Sequence, residues 1–461
     1  MKKYIKHLKT VGLAIVILLS VVACDKWIDP DLNIDPDAPA AVPMNLMLPA
    51  MQQSFGYVLA GNDMVRVTNI WMQQFDGVSR QSYTEARYQI LPADINNTWN
   101  SIYTEIFMNG KIMVDIAENT EGKYSPHNAG VAKTIIAAAL GISTDVWGDM
   151  PFSKAFRGNE NVLTPEFDTQ EQIYDTLMVI LDEAISDLSA SENAVDVDGD
   201  VIYDGDIDQW KNAAYSIKAR HALQLSELNG NSAYSAALAA AANGFKSNSD
   251  NLEVPWESAN HNPIYQFMEQ RTDIRMGATL VDMMKDIDDP RLPEYVAEDG
   301  DGELRGAVIG SQDETASYPG DYVAGAEAST VMMSYSELKF IEAEANFRLG
   351  NSADAATAFE EAVKASVERV TGAWDQDWFD TQLGTQTLSL ELIMDQKYIA
   401  TFGTNQAYAD YRRTGLPAIA KHPNAVINAM PNRYPYSQNE LDYNGDNVPS
   451  VTISDKLWWD K

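Results

Sequence analysis

Beyond about residue 43, apolar side chains recur every three to four positions, in blocks separated by polar, glycine-bearing stretches. In 171–188, Ile173, Leu177, Ile180, Leu181, Ala184, Ile185 and Leu188 fall on one helical face, behind Asp168 and Thr169 as candidate N-caps. The Ala/Ile-rich segment 131–146 predicts a helix buried on all sides, and 209–228 with 232–243 predicts a helix pair broken at Asn229-Gly230-Asn231. A further pair is predicted over 334–349, with Leu338, Ile341, Ala345 and Leu349 on one face, and 352–370, with Ala355, Phe359, Ala362 and Val363. The Gly/Asp/Asn-rich stretches 189–208, 247–263, 286–330 and 420–456 lack this periodicity. They are too long for simple turns, and loops of that size are commonly functional.

Gly350, Ala355, Phe359 and Ala362 also take the spacing of the second half of a tetratricopeptide repeat. The first half fits poorly, because Lys339 and Glu342 stand where large apolar residues are usual.

The beginning of the chain follows another pattern. Lys2, Lys3, Lys6 and Lys9 precede an almost wholly apolar run from Val11 to Ala23, the layout of a signal peptide. At a rise of about 1.5 Å per residue that run covers roughly 20 Å, short of the ~30 Å hydrocarbon core of a bilayer. It ends in Val21-Val22-Ala23-Cys24, which resembles the lipobox of bacterial lipoproteins, and Cys24 is the only cysteine in the chain. Residues 1–23 therefore read as a lipoprotein signal peptide and Cys24 as the lipidation site. Residues 24–43, with Asp25, Asp29, Asp31, Asp35 and Asp37 among Pro30, Pro36, Pro39 and Pro43, read as a solvated tether, and 44–461 as a single domain.

The 461 residues carry 33 Lys+Arg and 67 Asp+Glu, a formal charge of −34, and 45% of them are hydrophobic. Material for a large core is present, so the composition is not that of a disordered chain. Residues 1–23 hold four lysines and no acid, so the processed chain would carry −38. Such a charge repels phosphate backbones and argues against nucleic-acid binding. One cysteine excludes both an internal disulfide and a Cys-rich metal site.

Several motifs stand in a recognisable order. They include Asn33-Ile34-Asp35-Pro36 ahead of Leu48-Pro49-Ala50, Trp147-Gly148-Asp149-Met150-Pro151-Phe152-Ser153, and Tyr203-Asp204-Gly205-Asp206 leading to Trp210-Lys211 and Ser216-Ile217-Lys218-Ala219-Arg220. Asp289-Pro290-Arg291-Leu292, Ser336-Glu337-Leu338, Gln396-Lys397-Tyr398-Ile399, Asp410-Tyr411-Arg412-Arg413-Thr414-Gly415-Leu416-Pro417, Arg433-Tyr434-Pro435-Tyr436 and Lys456-Leu457-Trp458-Trp459-Asp460 follow. With the lipobox, this series resembles the SusD/RagB-like nutrient-binding outer-membrane lipoproteins of Bacteroidetes. The resemblance implies a mainly α fold, in which tetratricopeptide-like helix pairs form a scaffold and long irregular loops form a ligand face. It also implies a protein that faces the cell exterior, captures oligosaccharides without covalent chemistry and passes them to a SusC-like TonB-dependent transporter. RagB-like members imply peptide as the alternative cargo.

Sugar recognition needs flat apolar rings beside amide, carboxylate or guanidinium groups. Three loop regions combine these: Trp71 with Arg80 and Tyr83, Trp256 with Asn260 and Tyr265, and Tyr318 with Tyr322. Tyr83, Trp256, Tyr265 and Tyr322 are the first choices, because Val67, Ile70 and Trp71 also fit one face of a core helix. Trp147-Gly148-Asp149 and Trp458-Trp459 read as structural, and Arg412-Arg413 as a fold-stabilising ion-pair site. Asp196, Asp198, Asp200, Asp204 and Asp206, interspersed with Gly199 and Gly205, suit calcium by residue type but lack the closing Glu of an EF-hand. A surface glycoside hydrolase is the enzymatic rival, since it needs only two carboxylates. No HExxH, Gly-x-Ser-x-Gly or Walker A pattern occurs. The strongly acidic body makes a neutral oligosaccharide the expected cargo.

Overall fold

The computed structural model describes Tyr4 and residues 42–460 except Glu121. Cys24, with the expected signal peptide and nearly all of the expected tether, lies outside the described residues. The chain divides into Met1–Pro43 and Met44–Lys461, and the second unit holds the architecture described below.

Helix α1 (Met44–Ser54) buries Met47, Leu48, Met51 and Gln52, and α2 (Arg80–Ala86) is a short surface helix. An array of longer helices follows: α3 (Met108–Asn119), α4 (Pro126–Trp147), α5 (Gln170–Leu188), α6 (Ile207–Gln224), α7 (Asn231–Ala241), α8 (Tyr335–Leu349) and α9 (Ser352–Thr371). Next come α10 (Leu390–Ala400) and α11 (Gln406–Thr414). α4 pairs with α5, α6 with α7 and α8 with α9, while α5 also packs on α6 and α7 on α8, so the pairs stack as an array.

The local reasons for these helices are legible. α5 starts at Thr169, whose hydroxyl accepts from Gln172 N while the Gln172 side chain accepts from Thr169 N, a capping box. Ile173, Leu177, Leu181, Ala184 and Leu188 form its buried stripe. α4 opens with Pro126 at its first position and buries every residue except His127 and Lys133. It is long and apolar enough to cross a membrane, yet it lies inside the protein as the central core helix. The α6–α7 break falls at Gly230 (φ 53°), and α8 ends at Gly350 in the left-handed conformation that favours glycine. Ala355, Phe359 and Ala362 are buried against α8, whereas Lys339 and Glu342 pair with each other at 3.0 Å in a polar groove that α8 shares with Asp354, Thr357 and Glu361 of α9. That polar groove stands where a repeat would place large apolar residues in its first half.

Two small antiparallel sheets pin irregular segments to the helices. β1 (Phe75–Gly77) pairs with β3 (Ile274–Met276) in the register Phe75↔Met276, Asp76↔Arg275, Gly77↔Ile274. β2 (Leu252–Val254) pairs with β4 (Thr330–Met333). Trp147-Gly148-Asp149 acts structurally: Trp147 Nε1 donates to Pro435 O, and Asp149 Oδ1 accepts from Gln170 N at the start of α5.

Buried ion pairs tie distant segments together. Arg413 is fully buried and donates to Glu344 Oε2 at 2.7 Å and to Asp410 Oδ1 at 2.9 Å, while Lys397 reaches Asp410 Oδ2 at 2.7 Å. Burial alone would raise the Asp410 carboxyl, but Lys397 and Arg413 hold it below the usual range. Arg412 instead spends its guanidinium on the carbonyls of Asp145 and Asn432 and stacks on Tyr408. The expected ion pair thus belongs to Arg413.

Removing one partner of such a pair leaves an uncompensated buried charge, which costs about 3–5 kcal/mol. Glu344→Ala is expected to lose that much in denaturant unfolding. A loss below about 1 kcal/mol, the range of exposed pairs, would show that the network does not hold the array together.

Candidate functional site

The β1–β3 sheet assembles one face from four stretches of chain. α2 follows β1 directly and packs against it. Val78 N donates to Asp273 O at 2.9 Å, which sets the segment 271–275 beside α2. The loop 299–317 runs along the other side of β3, with Met276 N donating to Ser317 O and Ala307 N to Met276 O. Val78, Ala307 and Ala316 form a small apolar cluster beneath it. The loop 420–424 closes the face, tied by the Gln73 side chain to Ala420 O and by His422 N to the Tyr88 hydroxyl.

Two aromatic rings are braced on this face. Arg275 is buried and donates to the carbonyls of Thr272, Ile274 and Glu314, so its guanidinium is fixed. It lies 3.8 Å from the centre of the Tyr318 ring, and Tyr318 is 37% exposed. The half-buried Tyr83 ring meets His422 edge-on at 5.9 Å, with the Arg87 guanidinium 5.5 Å from its centre. The Tyr83 hydroxyl accepts from Asn424 Nδ2 at 3.3 Å. Burial, with Arg87 nearby, holds His422 below the usual imidazole range. The ring is therefore neutral at pH 7, and its Nδ1 accepts from Asn424 N. Exposed Gln81, Gln312 and Asn424 supply amides alongside.

The backbone under this face is strained. Gln73, Arg80, Tyr88 and Gln312 all have positive φ (59°, 45°, 64° and 55°), a conformation costly for residues with side chains. Gly310 (φ 77°) is needed for space as well, since a Cβ there would sit 2.6 Å from Pro423 Cγ. The buried Asp76 carboxylate bonds the backbone N–H groups of Gly77 and Gly310, which joins the loop 299–317 to β1.

Of the residues expected from the sequence, the structure joins Arg80, Tyr83 and Tyr318 on this face and separates the others. Trp71 is a correction: its ring is fully buried, edge-on to Tyr88, Tyr408 and Tyr434, with Nε1 donating to Glu85 O. Trp256 is a second, only 4% exposed beneath Tyr57 and donating to Thr330 Oγ1. Neither offers a face to a sugar. Asn260 and Tyr265 lie on a different patch, where Asn260 donates to Gln53 and Tyr265 meets His261 edge-on. Tyr322 belongs to an internal network with Tyr295 and Arg369, whose Nη1 donates to its hydroxyl at 2.5 Å.

The acidic loop uses its carboxylates on the chain itself. Asp200 is buried, with Oδ1 accepting from Gln52 Nε2, Ile202 N and Tyr203 N and Oδ2 from Gly205 N and Trp210 Nε1. Asp206 caps α6 by accepting from Asp208 N and Gln209 N, and Asp196, Asp198 and Asp204 point to solvent. Among the described residues no three acidic, His or Cys side chains converge to hold a metal ion. N–H donors order the loop at Asp200 and Asp206, and its remaining acids are exposed.

Arg271, Arg275, His422 and Asn424 are site residues that the pattern of the chain did not single out. Alternation is too short in the three-residue strands to flag Arg275, and the only signal for His422-Pro423-Asn424 is its place in an aperiodic loop.

In comparison with known proteins, residues 36–437 match the SusD-like family described as "Starch-binding associating with outer membrane". Among solved structures, the chain resembles a SusD/RagB family protein from Bacteroides thetaiotaomicron, with 26% identity and a TM-score of 0.78 over 91% of this chain and 99% of that one. It resembles a chitin-binding protein with 24% identity and a TM-score of 0.79 over 91% and 100% of the two chains. A chitin-binding SusD homologue from Flavobacterium johnsoniae shows the same fold, with 21% identity and a TM-score of 0.78 over 91% and 98%. No curated protein matches the chain.

Burial pushes Asp76 up to about 7. Its unfolded counterpart ionises near 3.9, so its contribution to stability is fully present below about pH 4 and is lost as pH rises to about 7. Asp76→Asn removes that dependence and is expected to gain on the wild type between pH 5 and 8, by at most about 4 kcal/mol. Urea unfolding of both proteins across that range checks it, and parallel pH curves would exclude a buried ionisation at Asp76.

Proposed function

Because the chain belongs to the SusD-like family of outer-membrane-associated starch-binding proteins, we propose that it captures an oligosaccharide on the β1–β3 face and delivers it to a SusC-like TonB-dependent transporter. The observation that supports this reading is that Tyr83 on α2 and Tyr318 after the loop 299–317 stand on segments tied to the same β1–β3 sheet, each ring beside a guanidinium, with exposed amides on the neighbouring chain. Braced rings lose little freedom when a sugar ring stacks on them, and amides and guanidiniums satisfy its hydroxyls.

Binding without catalysis is the simpler use of the face. Glycoside hydrolysis needs two carboxyl groups that meet the substrate. Of the acids around this face Asp273 is completely buried, Asp76 is turned to the N–H groups of Gly77 and Gly310, Asp299 and Asp313 are paired with Arg305, and the exposed Asp301, Glu303 and Glu314 all lie on one loop. The mature protein is read as anchored through lipid on Cys24 and held outside the cell on the tether 24–43. Lipid chains are well suited to this, because each buried CH₂ contributes about 0.8 kcal/mol.

Calorimetric titration of the purified mature protein with an oligosaccharide panel, beside a peptide library, tests the reading. Tyr83→Ala and Tyr318→Ala are each expected to weaken glycan binding by on the order of tenfold without lowering the melting temperature. Trp71→Ala is expected to destabilise the fold by about 3–5 kcal/mol instead. Binding of peptides alone, or glycan binding indifferent to both tyrosines, would overturn the assignment.

The anchor is tested in the cell. Cys24→Ser is expected to move the protein from the membrane to the soluble fraction and to abolish its co-purification with a TonB-dependent transporter from solubilised membranes. Retention in the membrane would remove Cys24 as the anchor.

A further inference from the structure

We propose that the sugar recognised on the β1–β3 face carries an acidic substituent, a carboxylate or a sulfate ester, gripped by the guanidinium groups of Arg80 and Arg271. This rests on the reading of that face as the glycan site and reverses the neutral cargo that the overall charge suggests.

Arg80 and Arg271 converge on a single carboxylate. Arg80 Nη1 lies 3.4 Å from Asp273 Oδ1, and Arg271 Nη1 lies 4.0 Å from Asp273 Oδ2. Asp273 is completely buried, whereas the two arginine side chains are 66% and 45% exposed. One buried anion therefore stands between two exposed cations and can balance only one. Both contacts are longer than the ~2.7–2.9 Å of a charge-assisted hydrogen bond, so the forks keep donors to spare for a ligand. Asp273 Oδ2 has no hydrogen-bond partner of its own.

Arg275 adds a third cation from below. It is 4% exposed, and its hydrogen-bond partners are backbone carbonyls, with the Tyr318 ring over it; Glu314 and Asp313 act on it through space, but neither carboxylate comes within 4.0 Å. Arg87, which bonds Asn424 O and covers Tyr83, is likewise without an acid partner, and exposed Lys421 adjoins His422. The acids of the same elements are mostly engaged elsewhere. Asp76 is buried on backbone N–H groups, Glu85 is paired with Arg66, and Asp299 and Asp313 are paired with Arg305. Asp301, Glu303 and Glu314 are exposed, all three on the loop that bears Tyr318, and none makes an ion pair with these arginines.

A planar guanidinium pair beside a braced aromatic ring matches the geometry of a pyranose bearing a two- or three-oxygen anion. The ring stacks on Tyr318 or Tyr83, and the oxyanion takes the forks, which bind carboxylate and sulfate alike through parallel N–H···O bonds. The negative charge of the rest of the chain does not prevent this, because exposed charges farther than about 8 Å are largely screened at physiological salt.

Titration of the mature protein with a neutral, a uronate and a sulfated oligosaccharide of equal length, each at low and high salt, tests the proposal. The uronate or the sulfated sugar is expected to bind at least about tenfold more tightly than the neutral one at low salt. That preference should shrink at high salt, and the acid that is preferred identifies the substituent. The double variant Arg80→Gln/Arg271→Gln is expected to bind all three alike, and adding Asp273→Asn, which removes the buried charge the two arginines face, is expected to restore any melting temperature lost without restoring the preference for an acid. Wild-type affinity for the neutral sugar equal to that for both acids, and indifferent to salt, would overturn the acidic ligand while leaving the glycan site intact. Failure to bind any sugar would overturn both.

Discussion

The fold depends on charges that cannot be left alone in its interior. Arg413 is fully buried and stands between Glu344 on α8 and Asp410 on its own helix α11, with Lys397 of α10 on the far side of Asp410. Arg220 of α6 grips Glu337 of α8 and the Met332 carbonyl of β4. Arg291 joins Asp289 to Ser366 of α9 and Gln396 of α10, and Arg66 joins Glu85 of α2 to the chain after α1. Hydrophobic helix faces tolerate sliding, but a buried ion pair has one geometry in which both charges are compensated. In this chain those pairs fix where loops with no periodicity of their own must lie against the helix array.

The candidate face on the β1–β3 sheet inherits that rigidity. Its residues come from α2, β3 and two loops, and none is held by a regular element longer than two turns. What positions them is fixed polar contact: Arg275 on three carbonyls, the Asp76 carboxylate on Gly77 and Gly310, and His422 against Tyr88 and Asn424. Four side-chain-bearing residues with positive φ gather in and under the same region, strain that the surrounding contacts must sustain. A face prepared in this way before any ligand arrives loses little conformational freedom on binding.

The helical half of the structure was legible in the sequence because its signals are local. The Thr169 cap, the Ile173 to Leu188 stripe, the all-round apolar character of α4 and the Gly350 break each concern residues within a few turns of one another. The site was only partly legible, because its signals are not local. Trp71 and Trp256 have the composition of sugar-binding loops, but Tyr408, Tyr434 and Thr330, hundreds or tens of residues away, close over them. The Asp196 to Asp206 stretch has the residue types of a calcium loop, yet Asp200 turns inward to collect N–H donors from Gln52, Trp210 and its own turn. A carboxylate serves a metal or a set of N–H groups equally well by type, and only the direction of the side chain separates the two.

Net charge shows the same limit from another side. At −34 the chain is strongly acidic, and many of the acids that produce this are exposed on loops and helices. Recognition happens within a few ångströms, where what counts is the local excess of partners over charges. Around Asp273 two exposed arginines share one buried carboxylate, and a third arginine is held by backbone carbonyls and the Tyr318 ring without an ion pair of its own among the described residues. A chain can therefore be strongly anionic as a whole and locally cationic at one face. The distance over which salt screens charge, about 8 Å at physiological ionic strength, is what allows the two to coexist on one molecule.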